Sequence, residues 1–298
     1  MPLSIIAGDL SEFKADVLVN SAHPLPIIGT GVEKSLYDKA GPDLLKAREA
    51  YGSLTLGTLF KSAAYGLDAK FIYHVLTPDY QAPSAGDQLA KIYDQCLLKA
   101  LDDDVASIAF PLLGSGNHVF PKAKALAIAH ARIVQFLSTH DLDVYLVVYD
   151  LDAFVLPDTY PTFEPIPMPE MQGILYNKMT FDPGAWAEND GFQPMLFELI
   201  DARELDDVTV YKKANISRKV FSKIRSNEDY HPSKKTAIAL AIGLELSLDE
   251  TLDLIGKAGY TLSESILFDR IIMYFITHQE FDIFTINETL FYYDQSTL

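Results

Sequence analysis

Cysteine and positive charge are both scarce in this sequence. Its 298 residues include one cysteine, Cys96, and 24 Lys and Arg against 41 Asp and Glu, a formal net charge of -17. A lone cysteine excludes an internal disulfide framework and points to a reducing, cytoplasmic setting. Cys96 falls in the helical run 86–101 beside Leu97 and Leu98, where it reads as a small buried apolar residue. So large an acidic excess repels nucleic acid and anionic membrane, and contact with either demands a local basic patch. No apolar run approaches the length of a membrane span, so no membrane partner is expected. The opening MPLSIIAGDL lacks the cationic start and long apolar stretch of a signal peptide. Metal-ligand spacing is missing too: His23, His74, His118, His130 and His140 are scattered and have no cysteine partners. There is no internal repeat and no long low-complexity tract.

What is present is organised around the stretch from Ala106 to Thr139. An apolar run, 106–113, ends in Gly114-Ser115-Gly116, and a helical pattern starts at Pro121. A short continuous apolar run suits a strand buried on both faces. Proline suits a first helical position, where its missing N–H costs nothing. Ile128, Ile133 and Leu137, with Ala125 and Ala129, form one apolar stripe. Glycines before a helix N-terminus let backbone N–H groups approach an anion closely, which makes a phosphate site; they are also common turn residues.

Short strands are expected at 3–7, 15–20, 56–63, 70–77, 106–113 and 143–149. Helices are expected at 32–40, 43–50, 86–101 and from Pro121. Alternating strands and helices predict an α/β domain of three layers, α/β/α, on a parallel or mixed sheet. The polar turns 8–9, 20–31 and 114–120 all follow strands, so they can meet at one sheet edge. Prolines at 157, 161, 165, 167 and 169 mark 157–190 as a linker, partly packed through Tyr176, Phe181 and Trp186. Beyond it, 191–298 is helical throughout, as a separate all-α domain of about seven short helices. Ser233 is a candidate N-cap for a helix expected to run to Leu246, and Gly259 ends the next one.

Read together, GDL (8–10), ADVLVNSAHP (15–24), GTGVEKSLYDKAG (29–41) and IAFPLLGSGNHVFP (108–121) resemble the macrodomain family, also known for Appr-1"-p processing. The resemblance covers about residues 1–150 of a domain expected at 1–156, and four motifs in order make it more specific than one glycine loop. It implies a protein that binds ADP-ribose, or ADP-ribosylated protein or nucleic acid, with no cofactor. Several members of the family hydrolyse ADP-ribosyl bonds or deacetylate O-acetyl-ADP-ribose. By resemblance, Asp9 accepts the adenine amino hydrogens beside Leu10; as a plain residue it forms an Asx turn after a strand. Gly29, Thr30, Gly31 and Val32 would meet the diphosphate from one side, and Gly114, Ser115, Gly116, Asn117 and His118 from the other. Asn20 would bond the distal ribose, and Phe120 would pack on it; the alternatives are a turn residue and core packing.

The departures from the family concern chemistry. Its hydrolases commonly have a second asparagine where this chain has His23, and aspartate where it has Glu33. An aromatic and a glycine are common at the positions of His118 and Val119. If the domain is an ADP-ribosyl hydrolase, Asn20, Glu33 and His23 are its candidate catalytic residues. Glu33 moves the carboxylate by one methylene, and misplacement by about 1 Å can cost a hundredfold in rate. An imidazole at position 23 is suited to general-base work near neutral pH, or to holding a turn. Binding through backbone groups survives these changes; hydrolysis is expected to be weak or absent.

Residues 209–255 resemble a Cro/repressor-type helix-turn-helix. Asn215 stands where that family often has glycine, and asparagine tolerates a left-handed turn. Ile216, Val220, Phe221 and Ile224 are expected to face the core. Arg218, Lys219, Lys223 and Arg225, with Ser217 and Ser222, would lie on the recognition helix. From Lys212 to Lys235 eight basic residues face two acidic ones, Glu228 and Asp229. Such a patch fits DNA or RNA phosphates, and equally an acidic protein partner. The alternative function is a transcription-type regulator whose first domain is a ligand sensor or inert.

Overall fold

The structure, a computed structural model, describes residues 3–116, 120–149, 191–227 and 230–298. The chain divides into two compact units, Met1–Val155 and Leu156–Leu298. The proline-rich segment expected as a linker, with Trp186, lies outside the described residues.

In the first unit, strands β1 (Leu3–Ala7), β2 (Val17–Ser21), β3 (Leu59–Ala63), β4 (Phe71–Val75), β5 (Ser107–Pro111) and β6 (Asp143–Val148) form one sheet in the order β1-β6-β5-β2-β4-β3. All neighbours are parallel except the β3–β4 hairpin, so the sheet is mixed, as expected. The central strands are covered on both faces, and Leu18, Val19, Ile108, Ala109 and Phe110 have no exposed surface. That burial explains why they read as unbroken apolar runs rather than as alternation. Helices α1 (Val32–Ala40), α2 (Pro42–Tyr51), α3 (Ala85–Asp102) and α4 (Lys122–Leu137) supply the outer layers.

α3 buries Leu89, Ile92, Tyr93, Cys96, Leu97 and Ala100, a spacing of three and four residues that turns one stripe inward. Burial pushes the Cys96 thiol up and keeps it protonated. α4 begins one residue later than expected: Pro121 has an extended ψ of 126° and is the N-cap, not the first helical residue. Leu126 and Phe136 join its buried stripe, while Ile128 is only half-buried.

The second unit holds α5 (Phe192–Ala202), α6 (Asp207–Lys213), α7 (Arg218–Ser226), α8 (Lys234–Gly243), α9 (Leu248–Lys257), α10 (Leu267–Thr277) and α11 (Ile283–Tyr292). Local chemistry starts five of them: the side chains of Asp206, Ser217, Ser233, Ser247 and Asp282 each accept a backbone N–H of the following turn. Ala237 to Leu244 are all buried, which makes α8 the centre of this unit's core. α8 ends at Gly243, short of the expected Leu246, because Glu245 turns left-handed at φ +55°. A Cβ on Gly243 would stand 2.7 Å from the backbone N of Ala214, so only glycine lets α8 approach the end of α6 this closely.

Candidate functional site

β1, β2, β5 and β6 run parallel, so their carboxyl ends share one edge of the sheet. The turns leaving those strands enclose a cavity of about 770 Å³. Its described lining includes Gly8, Asp9 and Leu10 after β1, Ser21 to Pro24 and Gly29 to Glu33 after β2, Gly114 to Gly116 after β5, and Val148 and Tyr149 at the end of β6.

Each turn has a local cause. Asp9 Oδ1 accepts the N–H of Ser11 at 2.8 Å and caps a 3-10 turn, while the residue also lines the cavity. The Asx-turn and ligand-facing readings of Asp9 are therefore compatible. Gly31, at φ +60°, begins α1, and Gly114, at φ +82°, starts the second glycine loop. A Cβ on Gly114 would press to 2.9 Å against the Phe120 ring. Phe120 lies beneath this loop, 3% exposed and outside the lining, with Tyr80 edge-on at 5.0 Å. Tyr93 of α3 helps to set the loop, its hydroxyl accepting the Leu113 N–H at 3.2 Å.

The 22–31 loop is held from below by two buried charged side chains. Glu33, 4% exposed, accepts the N–H of His23 at 3.1 Å and that of Gly29 at 3.0 Å. A Cβ on Gly29 would overlap Glu33 Oε2, so any other residue there displaces the carboxylate from its place under the loop. Arg48 of α2, 1% exposed, donates to the carbonyls of Gly52 at 2.6 Å, His23 at 3.1 Å and Leu25 at 3.4 Å. Burial raises the Glu33 pKa, and hydrogen bonds from His23, Asn20 and Gly29 pull the other way. Burial also lifts the neighbouring Tyr37 hydroxyl to about 12, with the Glu33 charge adding to the rise.

Asn20 is 1% exposed and lies outside the described lining. Its Nδ2 contacts Glu33 Oε1 at 3.3 Å and His74 Nδ1 at 3.1 Å. His74, on β4, has no exposed surface and reaches Ser62 Oγ of β3 through Nε2 at 3.0 Å. Burial, with the nearby Arg48 charge, pushes the His74 pKa down to about 3, so the ring is neutral. The His23 ring is engaged in its own turn, with Nδ1 accepting the Leu25 N–H at 3.1 Å.

The three candidate catalytic residues are thus brought together, but none is idle: Glu33 holds backbone, His23 holds its turn, and Asn20 lies behind them. Asn117 and His118 lie outside the described residues. Sequence reasoning missed Arg48, Ser62 and His74, which look like ordinary helix and strand residues, and Tyr149. Tyr149 is 82% exposed at the cavity, and its position directly after β6 was the signal. Among the described residues, no cluster of His, Cys, Asp or Glu is arranged to hold a metal. No helix among them is long and apolar enough to cross a membrane.

In the second unit, Asn215 adopts the left-handed conformation, φ +52°, between α6 and α7. Ile216, Phe221 and Ile224 are buried and Val220 is half-buried, while Arg218, Lys219 and Lys223 are exposed. Arg225 is occupied: it grips Asp207 with two hydrogen bonds, at 3.0 and 2.7 Å, and its guanidinium lies 4.1 Å from the Phe197 ring centroid. Lys213 pairs with Glu245, Lys234 with Asp269, and Lys235 donates to the Thr297 carbonyl. At least four of the eight basic residues are therefore committed within the unit. Among the described residues, Arg218, Lys219 and Lys223 form no ion pair.

Residues 19–129 match a family model described as Macro domain. A macro domain-containing protein of Methanosarcina mazei is 32% identical over 155 residues, 51% of this chain and 83% of that protein. An O-acetyl-ADP-ribose deacetylase of an Enterobacter species is 32% identical over 156 residues, 50% of this chain and 87% of that protein. Among solved structures, an Oceanobacillus iheyensis macrodomain with ADP covers 51% of this chain and 85% of its own, at 28% identity and a TM-score of 0.49.

Proposed function

The chain belongs to the macro domain family, and from that premise we propose that its first unit, about residues 1–156, binds ADP-ribose or ADP-ribosylated protein or nucleic acid. One observation carries the reading: the turns after β1, β2 and β5 converge on a single cavity, with Asp9, the 29–32 loop and the 114–116 loop on its walls. In this reading Asp9 receives the adenine amino group through the carboxylate oxygen that its turn leaves over. Tyr149 covers the base, and the two glycine loops offer backbone N–H groups to the diphosphate. Asn20 and Phe120 support the distal ribose from behind the wall.

Binding dominates over turnover in this proposal. Hydrolysis needs a water placed within hydrogen-bond reach of a base. The carboxylate best placed for that work, Glu33, already accepts the N–H groups of His23 and Gly29. The deacetylases among the relatives make O-acetyl-ADP-ribose the first substrate to assay. We expect weak turnover of it and of ADP-ribosylated protein; robust turnover would make the domain a hydrolase. Titration with ADP-ribose tests the binding itself, with Asp9→Ala expected to weaken it by about 1.5–3 kcal/mol, the scale for hydrogen bonds to a charged group.

For the second unit, at 191–298 beyond a joining segment, the reading is a helix-turn-helix of α6 and α7. The left-handed Asn215 and the exposed cations Arg218, Lys219 and Lys223 support it. Its partner is nucleic acid or an acidic protein surface. Filter binding of the full chain to duplex DNA, single-stranded DNA and RNA at low salt separates the two. Retention of none leaves the protein partner.

A further inference from the structure

A line of hydrogen bonds crosses three neighbouring strands and ends at the cavity wall. Ser62 Oγ on β3 donates to the Ala63 carbonyl at 3.0 Å. Its proton being used there, it accepts from His74 Nε2. His74 is neutral, so a proton on Nε2 leaves Nδ1 as a lone pair. That lone pair accepts one N–H of Asn20 Nδ2, and the second N–H reaches Glu33 Oε1. Each step has one donor and one acceptor, which fixes the tautomer of His74 and the direction of the Asn20 amide. Turning that amide over would set its oxygen against the His74 lone pair and the Glu33 carboxylate, two repulsive contacts in a buried site.

We propose that His74 is a positioning residue for the 22–31 loop: by accepting one Asn20 N–H it directs the other to Glu33, which in turn holds the backbone of His23 and Gly29. Ser62 acts at one further remove, by fixing where the His74 proton resides. Without the Ser62 hydroxyl, Nε2–H loses its buried acceptor. Moving the proton to Nδ1 then calls for the opposite Asn20 orientation, which repels Glu33. A histidine and a serine on the strands of the sheet thereby set the geometry of the cavity-lining loop without contacting ligand. The consequence for affinity rests on the ADP-ribose reading; the positioning itself does not.

Amide hydrogen exchange on the full chain tests the positioning directly, in the wild type, Ser62→Ala and Ser62→Thr. In Ser62→Ala the amides of His23 and Gly29 should exchange about tenfold faster, the factor expected for loss of one hydrogen bond, while the β2 amides keep their rates. Ser62→Thr, which keeps the hydroxyl, should restore protection. Imidazole nitrogen resonances of the wild type should show His74 neutral and protonated on Nε2. Unchanged His23 and Gly29 exchange, a uniform acceleration including β2, or a proton on Nδ1 would each overturn the proposal. ADP-ribose affinity should fall several-fold in Ser62→Ala and recover in Ser62→Thr. If the wild type binds no ADP-ribose, the functional reading fails, and the exchange data still decide the role of His74.

Discussion

Glu33 and Arg48 hold the backbone of one residue, His23, from opposite sides. Glu33 accepts its N–H at 3.1 Å, and Arg48 donates to its carbonyl at 3.1 Å. Both side chains are almost fully buried, on successive helices, and each also grips a second loop residue, Gly29 or Leu25. A buried charge is tolerated only where hydrogen bonds replace its water, and here the loop backbone supplies several of them. These bonds fix the loop at His23, Leu25 and Gly29, which lowers the ordering left for a ligand to drive.

Truncating either side of this grip should loosen the loop. Arg48→Met leaves buried carbonyls without donors and should cost about 3 kcal/mol of stability, read by urea denaturation. Glu33→Asp shortens the reach by one methylene and should weaken ADP-ribose binding about tenfold with a smaller loss of stability. Equal binding by Glu33→Asp and the wild type would remove Glu33 from the account.

Gly29→Ala places a methyl where Glu33 Oε2 sits. The carboxylate must swing away, so binding should fall by about tenfold or more while the strand core stays folded. Circular dichroism and titration on the same sample check both halves.

The acid limb of stability should carry a contribution from Asp103. Burial opposes its charge, but hydrogen bonds from Lys99, Tyr73 and Lys61 prevail and bring its pKa down to about 2 from 3.8. A depressed carboxylate stabilises the fold above its unfolded pKa and loses that contribution as pH falls through the folded value. Asp103→Asn should therefore cost about 2 kcal/mol near pH 6 and little near pH 2. Glu33 has the reverse sign: its raised pKa means that the fold is favoured by protonation, while protonation removes an acceptor from the loop. Affinity for ADP-ribose should fall on the acid side even where the fold holds.

Arg225 and Lys219 should separate structural from binding cations. Arg225→Ala loses the Asp207 pair and the Phe197 contact and should lower stability by about 1–2 kcal/mol. Lys219→Ala and Lys223→Ala should leave stability unchanged. If the unit binds nucleic acid, each should make the salt dependence shallower by roughly one unit. A Lys219→Ala variant as unstable as Arg225→Ala would contradict this division.

Most of the fold could be read from the chain because its signals are local. Strands buried on both faces appear as the apolar runs at 17–19 and 108–113, and helix starts appear as Ser217, Ser233 and Ser247. Errors fell at element ends, at Pro121 and after Gly243, where one residue's dihedral angles decide the boundary. The three loops around the cavity were legible because glycine marks tight turns and Asp9 caps one. The supports beneath them were not. Arg48 looks like any helix arginine, and nothing at Ser62 or His74 signals a buried partner on another strand. Arg225 carried the opposite lesson: within a basic run its charge suggested a ligand contact, whereas three-dimensional proximity pairs it with Asp207, eighteen residues earlier.

Calorimetric titration of the full chain with ADP-ribose at neutral pH and low salt tests the central claim most directly. The account predicts saturable binding at one site per chain, weakened in Asp9→Ala and in Gly29→Ala. Absence of binding at millimolar ADP-ribose, with the protein folded, would contradict it.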